Sequence, residues 1–215
     1  MVNFWVKRTF DIIVAAIGIF ALWPLGLLIA VAVVLSSPGP ALFFQKRIGR
    51  HGKIFNCIKF RTMYSGASKS GSITAASDIR ITPLGKYLRK FKLDELPQLL
   101  NVMTGKMSFV GPRPDVPGYA DKLEGEDRKI LLLRPGITGP ASIYFRNEEE
   151  LLAGVQDPQA YNDKIIWPQK VRLNKEYLEN WSFWKDIGFI LITIIPPLNK
   201  WFSLVEEIRL GKPEE

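Results

Sequence analysis

The chain has 215 residues, 47% of them hydrophobic and 23% charged, with 29 lysines and arginines against 21 acids and a net charge of +8. This composition supports a sizeable core and excludes long disorder. The single cysteine, Cys57, excludes an intrachain disulfide, and the single histidine, His51, excludes a His-rich metal site. The basic balance suits a polyanionic partner: nucleic acid, an anionic membrane surface or a phosphorylated substrate. Chemistry must rest on carboxylates, arginines and lysines.

Ile12 to Leu35 forms 24 residues without a charge. As a helix this run would be about 36 Å long, enough to cross a bilayer core of roughly 30 Å. Two details favour a helix that enters and leaves through one leaflet. Pro24 sits at its centre and removes a backbone hydrogen bond. Both flanks are basic: Lys7 and Arg8 before it, Lys46, Arg47, Arg50, Lys53, Lys59 and Arg61 after it. Cytoplasmic flanks collect Lys and Arg, so two basic ends place both on one side of the membrane. A plain span is the alternative. In either case residues 1–37 form a membrane anchor with its predicted break at Pro24, held among membrane lipids.

Ser36 to Pro40 is a breaker cluster that ends the anchor and opens a second region, residues 38–180. Ile54 to Met63 reads as a strand with Phe55, Cys57, Lys59 and Arg61 on one face. Two cations on one strand face can hold phosphate oxygens; a solvated face is the alternative. Residues 65–77 are rich in Ser, Gly and Ala and read as a loop. Leu84 to Met103 reads as two helices interrupted by Pro97, the second opening near Asp94 as N-cap. Arg113 lies between two prolines in Gly111-Pro112-Arg113-Pro114, which suits an arginine holding an anion in fixed geometry. Glu148 to Glu150 reads as a solvated helix face. Residues 181–215 form a third, C-terminal segment, read as core packing or as an amphipathic helix at the membrane interface.

Asp94-Glu95 is the one carboxylate pair at a predicted helix start, among Lys86, Arg89, Lys90 and Lys92. A capping carboxylate is usually structural. An anchor, a rigid arginine and a basic setting change that reading. Together they describe a carboxylate that meets a phosphorylated lipid at the membrane face. It can attack phosphorus once cations neutralise the phosphate oxygens, Mg²⁺ being the usual divalent partner.

These residues also carry a family resemblance. Lys59-Phe60-Arg61-Thr62-Met63, Asp78-Ile79-Arg80-Ile81-Thr82, Leu93-Asp94-Glu95-Leu96-Pro97-Gln98, Ser108-Phe109-Val110-Gly111-Pro112-Arg113-Pro114 and Arg134-Pro135-Gly136-Ile137-Thr138-Gly139 resemble the monotopic phosphoglycosyl transferases, the bacterial sugar transferase family. The resemblance runs from the apolar N-terminus to about residue 190 and looks like the small forms. It implies a helix-rich, mixed α/β fold: a kinked re-entrant N-terminal helix, then a compact catalytic domain with a small sheet and amphipathic interfacial helices. It implies transfer of a sugar-1-phosphate from a UDP-sugar to polyprenol phosphate, releasing UMP, at the cytoplasmic face of the inner membrane. It assigns Asp94 as the nucleophile, Glu95 as its partner, Mg²⁺ as cofactor at the dyad, and Lys59, Arg61, Arg89 and Arg113 to phosphate or nucleotide contacts.

The sequence departs from the family pattern at Trp23 (often Ser before the proline), Lys92, Lys106 and Asn174 (usually Asp). A non-enzymatic protein binding anionic lipid is the rival class; it explains charge and anchor but not the Gly-Pro-Arg-Pro segment. Nucleic-acid binding fits the charge alone, with no recognisable motif, and is set aside. The sequence leaves open the sugar, whether a plain hexose or an N-acetylated amino sugar, and the oligomeric state, homodimer included.

Overall fold

The structure is a computed structural model and describes residues 4–66 and 79–196. The charge-free run forms one helix, α1 (Phe4–Ser36), with Pro24 inside it. The helix continues through the proline, so the predicted break is not an interruption of helical structure. The local cost is the donor that Pro24 withholds from the carbonyl one turn earlier. Among the described residues this is the one helix long and apolar enough to cross a membrane.

Both ends of α1 rest on the same globular body. Near its start Lys7, Asp11 and Ala15 are buried, and near its end Ile29 and Val33. Between them Phe20 is 82% and Leu28 68% exposed. Arg8 donates to the carbonyls of Val102 and Met103 at 2.6 and 2.7 Å, and Asp11 accepts from Ser108 Oγ and the Phe109 amide. Ala15 joins a core cluster with Phe55, Cys57, Val102 and Met107, while Ile29 and Val33 pack with Phe60 and Leu88. The middle of the helix therefore carries exposed apolar side chains.

The body is mixed α/β and helix-rich, as expected. Strands β1 (Leu42–Ile48) and β2 (Ile54–Phe60) pair antiparallel, with Phe43 opposite Lys59 and Arg47 opposite Phe55. The second strand is shorter than predicted and stops before Arg61. Phe55 and Cys57, on the face read as phosphate-holding or solvated, are instead buried. Helix α2 (Pro83–Lys90) is capped by Thr82, whose hydroxyl accepts from the Gly85 amide at 2.9 Å, with Pro83 in the first turn. A 3₁₀ turn at Leu93–Glu95 follows, then α3 (Gln98–Met103).

Strands β3 (Ser108–Val110) and β4 (Gly136–Thr138) form a short parallel pair. Its glycines explain two motifs at once. A Cβ on Gly111 would strike the Arg134 carbonyl, and Cβ atoms on Gly136 and Gly139 would strike Gly111 itself. The two backbones therefore cross in contact, tied by Gly111 N to Thr138 O at 2.9 Å and Gly136 N to Pro112 O at 2.8 Å. This crossing fixes the base from which Arg113 projects.

The remaining helices are α4 (Pro140–Tyr144), α5 (Glu148–Ala153), α6 (Pro158–Tyr161), α7 (Trp167–Glu179), joined to α6 by a π turn at Asn162–Ile166, and α8 (Phe183–Ile194). One face of helix α8 packs into the core. Phe189 packs with Val110, Leu133 and Tyr177, while Trp184, Leu191 and Ile194 face outward. Most of the predicted loop at 65–77, and the chain beyond residue 196, lie outside the described residues.

Candidate active site

Lys92 adopts the left-handed conformation (φ 55°) and starts the 3₁₀ turn that carries the dyad. Asp94 is therefore not the N-cap of the following helix; Pro97 holds that position in α3. Freed from capping, the Asp94 carboxyl is buried, and its Oδ1 has no hydrogen-bond partner among the described residues. Burial pushes its pKa up, against the pull of Lys59, Arg89 and Lys92, and the Glu95 charge adds to the rise. A buried, unpartnered carboxylate oxygen is unusual. It is what a nucleophile or a ligand of an incoming cation requires.

Glu95 is in the opposite state. Its Oε1 accepts from Lys59 Nζ at 2.8 Å and Arg113 at 2.7 Å. Burial alone would raise it, but the Arg113 guanidinium and the Lys59 ammonium outweigh burial and hold it well below the usual carboxylate range. Glu95 in turn raises Arg113. The dyad thus divides: one carboxylate ion-paired from two sides, its neighbour left open.

A cavity of about 1110 Å³ opens over the dyad, lined by Lys59, Arg61, Arg89 and Arg113 as well as Asp94 and Glu95. All six sequence candidates thus reach one cavity, but in different states. Arg89 is placed by a bond from Nε to Thr62 Oγ1 at 2.9 Å. Arg61 has both terminal nitrogens engaged by backbone: it donates to the carbonyls of Val33, Ser37 and Pro38, and to Ser65 Oγ. It ties the end of α1 to the cavity wall, a bracing duty that its alternation with Lys59 could not reveal.

Lining residues that sequence reasoning missed include Arg47, Asp115, Glu148 and Lys170. Arg47 had been read only as a basic flank. Asp115 follows the Gly-Pro-Arg-Pro motif directly, a position that could have flagged it. Burial pushes its pKa up to about 6, against Lys170, Arg47 and Arg113. Glu148 is not a solvated acid; both its oxygens accept from Lys170 Nζ at 2.7 Å.

As for a metal, no group of three or more His, Cys, Asp or Glu among the described residues is arranged to hold one. The open Asp94 Oδ1 fits a single-carboxylate contact of the kind Mg²⁺ makes when phosphates supply its other ligands. Glu95, committed to two cations, does not fit as a second ligand.

A carboxylate dyad sits in a cation-lined cavity beside an apolar helix whose two ends pack on the same body. The chain belongs to the bacterial sugar transferase family, the phosphoglycosyl transferases, whose model matches residues 2–200. It is 38% identical over 200 residues to the UDP-glucose:undecaprenyl-phosphate glucose-1-phosphate transferase of Xanthomonas campestris pv. campestris, covering 90% of this chain and 39% of that protein. It is 34% identical over 194 residues to the UDP-N-acetylgalactosamine-undecaprenyl-phosphate N-acetylgalactosaminephosphotransferase of Aeromonas hydrophila, covering 88% and 43%. To the exopolysaccharide production protein ExoY of Sinorhizobium fredii (strain NBRC 101917 / NGR234) it is 34% identical over 204 residues, covering 87% and 83%. The chain spans about two fifths of the length of the first two.

Proposed function

We propose that the protein transfers a sugar-1-phosphate from a UDP-sugar to polyprenol phosphate through an aspartyl intermediate on Asp94. The observation that carries this reading is the open, buried Asp94 carboxylate beside a neutralised Glu95 in a cation-lined cavity. In the first step an Asp94 oxygen bonds to the sugar-bearing phosphorus, and the bond from that phosphorus to the UMP oxygen breaks. In the second a lipid phosphate oxygen attacks the same phosphorus and releases the Asp94 carboxylate. With both phosphate monoesters as dianions, charge balances without a proton.

Glu95 is ion-paired with both Lys59 and Arg113, so its part is to hold them against the phosphates. Arg89 is placed to contact the same oxygens. Asp94 would hold Mg²⁺ together with the donor's phosphates, and the bound ion would supply further neutralisation of their charge. The contact of both ends of α1 with one body supports a re-entrant helix, with the catalytic domain on the cytoplasmic side of the inner membrane, where UDP-sugars are found.

The test is UMP release from a panel of UDP-sugars, with and without polyprenol phosphate, by wild type and Asp94→Asn. Release that depends on both substrates and is lost in the variant supports the reading; release undiminished in Asp94→Asn refutes it. The panel also decides the sugar, since the relatives' names include both glucose and N-acetylgalactosamine.

A further inference from the structure

Besides the dyad, the same cavity is lined by Asp115, Tyr119, Glu148, Trp167 and Lys170, a second lobe of its wall drawn from later parts of the chain. Arg113 joins the two: it donates to Glu95 Oε1 on one side, and its charge acts on Asp115 on the other. The dyad lobe is dominated by cations. The far lobe is mixed. Asp115 feels Lys170, Arg47 and Glu148 there, and Tyr119 and Trp167 meet edge to face with centroids 5.4 Å apart.

The charged neighbours in this lobe are already engaged. Lys170 holds Glu148, and Arg47 donates to the Pro114 carbonyl at 2.9 Å and to Gln45 Oε1 at 2.7 Å. Asp115 is held only through its backbone, its carbonyl accepting from the Ile48 amide at 2.9 Å. No hydrogen bond or ion pair is formed by its carboxylate among the described residues. A fixed acceptor that lines a cavity and lacks a protein partner is poised for a ligand's donors.

The group it meets is not phosphate, which the Asp115 carboxylate would itself repel. Hydroxyls are what a carboxylate between cations accepts best. The reach is also right: Asp115 is two residues from Arg113, at most about 7 Å of backbone. A diol attached to a phosphate held at Arg113 would arrive there, and a flat ring would meet the Tyr119–Trp167 edge.

We propose that this lobe binds the uncharged, hydroxyl-rich part of a nucleoside-diphosphate sugar, with Asp115 accepting from a vicinal diol and so determining donor recognition. The inference rests on the donor class proposed above. Ribose and hexose offer the same diol chemistry, and the experiment separates them.

Titration calorimetry on the full chain in lipid nanodiscs, without acceptor, uses UDP-glucose and UMP as probes. Asp115→Ala should weaken UDP-glucose binding about tenfold or more, each tenfold being about 1.4 kcal/mol. Asp115→Asn, which keeps the shape and one acceptor oxygen, should fall between and decides the matter if the alanine variant fails to fold. Melting temperatures of the variants should not fall below wild type. A parallel loss for UMP assigns the diol to ribose; undiminished UMP binding assigns it to the sugar. UDP-glucose affinity within twofold of wild type in the variants, or a wild type that binds neither probe, would overturn the subsite. A wild type that binds UDP-glucose but releases no UMP when polyprenol phosphate is added would refute the transferase reading while leaving the subsite in place.

Discussion

Replacing Asp186 with alanine should unlock the two ends of the chain from one another. Asp186 lies on α8 and accepts from Lys7 Nζ of α1 at 2.5 Å, Tyr177 Oη at 2.6 Å and Trp181 Nε1 at 3.0 Å. The ion-paired side chains are only 7% and 3% exposed. Alanine leaves the Lys7 ammonium buried with the Tyr177 hydroxyl at 3.1 Å as its remaining listener. Removing one partner of a buried pair costs about 3–5 kcal/mol. For a chain of this size each kcal/mol lowers the melting temperature by about 2–4 °C, so a fall on the order of 10 °C is expected. Lys7→Met should cost less, because Asp186 keeps two donors. The double variant should lose less than the sum of the singles, with a coupling of about 1–3 kcal/mol. Tryptophan fluorescence melting of the purified protein reads all three. An Asp186→Ala shift below about 2 °C, or strictly additive singles, would refute the reasoning.

Arg113→Lys should lower kcat/KM for UMP release about tenfold or more, because an ammonium cannot replace a planar fork pinned to Glu95; an unchanged value would make the residue a brace. Asp115 has its folded pKa raised to about 6, so as pH rises from about 4 through 6 the folded state loses the stability its extra proton supplied. Asp115→Asn should therefore gain melting temperature relative to wild type across that window, measured by melting at each pH. Cysteines placed at Asn3 and Ser68, after Cys57→Ser, should both resist a membrane-impermeant thiol reagent on intact cells. Labelling at Asn3 alone would mean that α1 spans.

What the sequence made legible was local. The charge-free run, the Asp94-Glu95 pair and the proline-bracketed Arg113 are each written within a few residues, and the structure puts the run in α1 and the pair and Arg113 on one cavity. What stayed hidden depends on distant partners. Lys7 looked like a membrane flank, yet its partner stands 179 positions away. Arg61 shares an alternation with Lys59, but the strand ends before it and its guanidinium serves the carbonyls at the end of α1. Asp94 looked like a cap because Pro97 signals a helix start; the left-handed Lys92 instead curls the chain into a 3₁₀ turn and leaves the carboxylate open. The reciprocal contact of Gly111, Gly136 and Gly139 explains why two glycine motifs 25 residues apart belong to one crossing, something spacing alone does not reveal.

The central claim is that Asp94 carries the phosphosugar. Incubating the protein with a UDP-sugar labelled in the sugar, with Mg²⁺ and without lipid acceptor, then mapping the label by peptide mass spectrometry, tests it directly. The account predicts one phosphosugar per chain on the peptide containing Asp94, discharged by polyprenol phosphate and lost in Asp94→Asn. Label on another residue, or full turnover by Asp94→Asn, would contradict it.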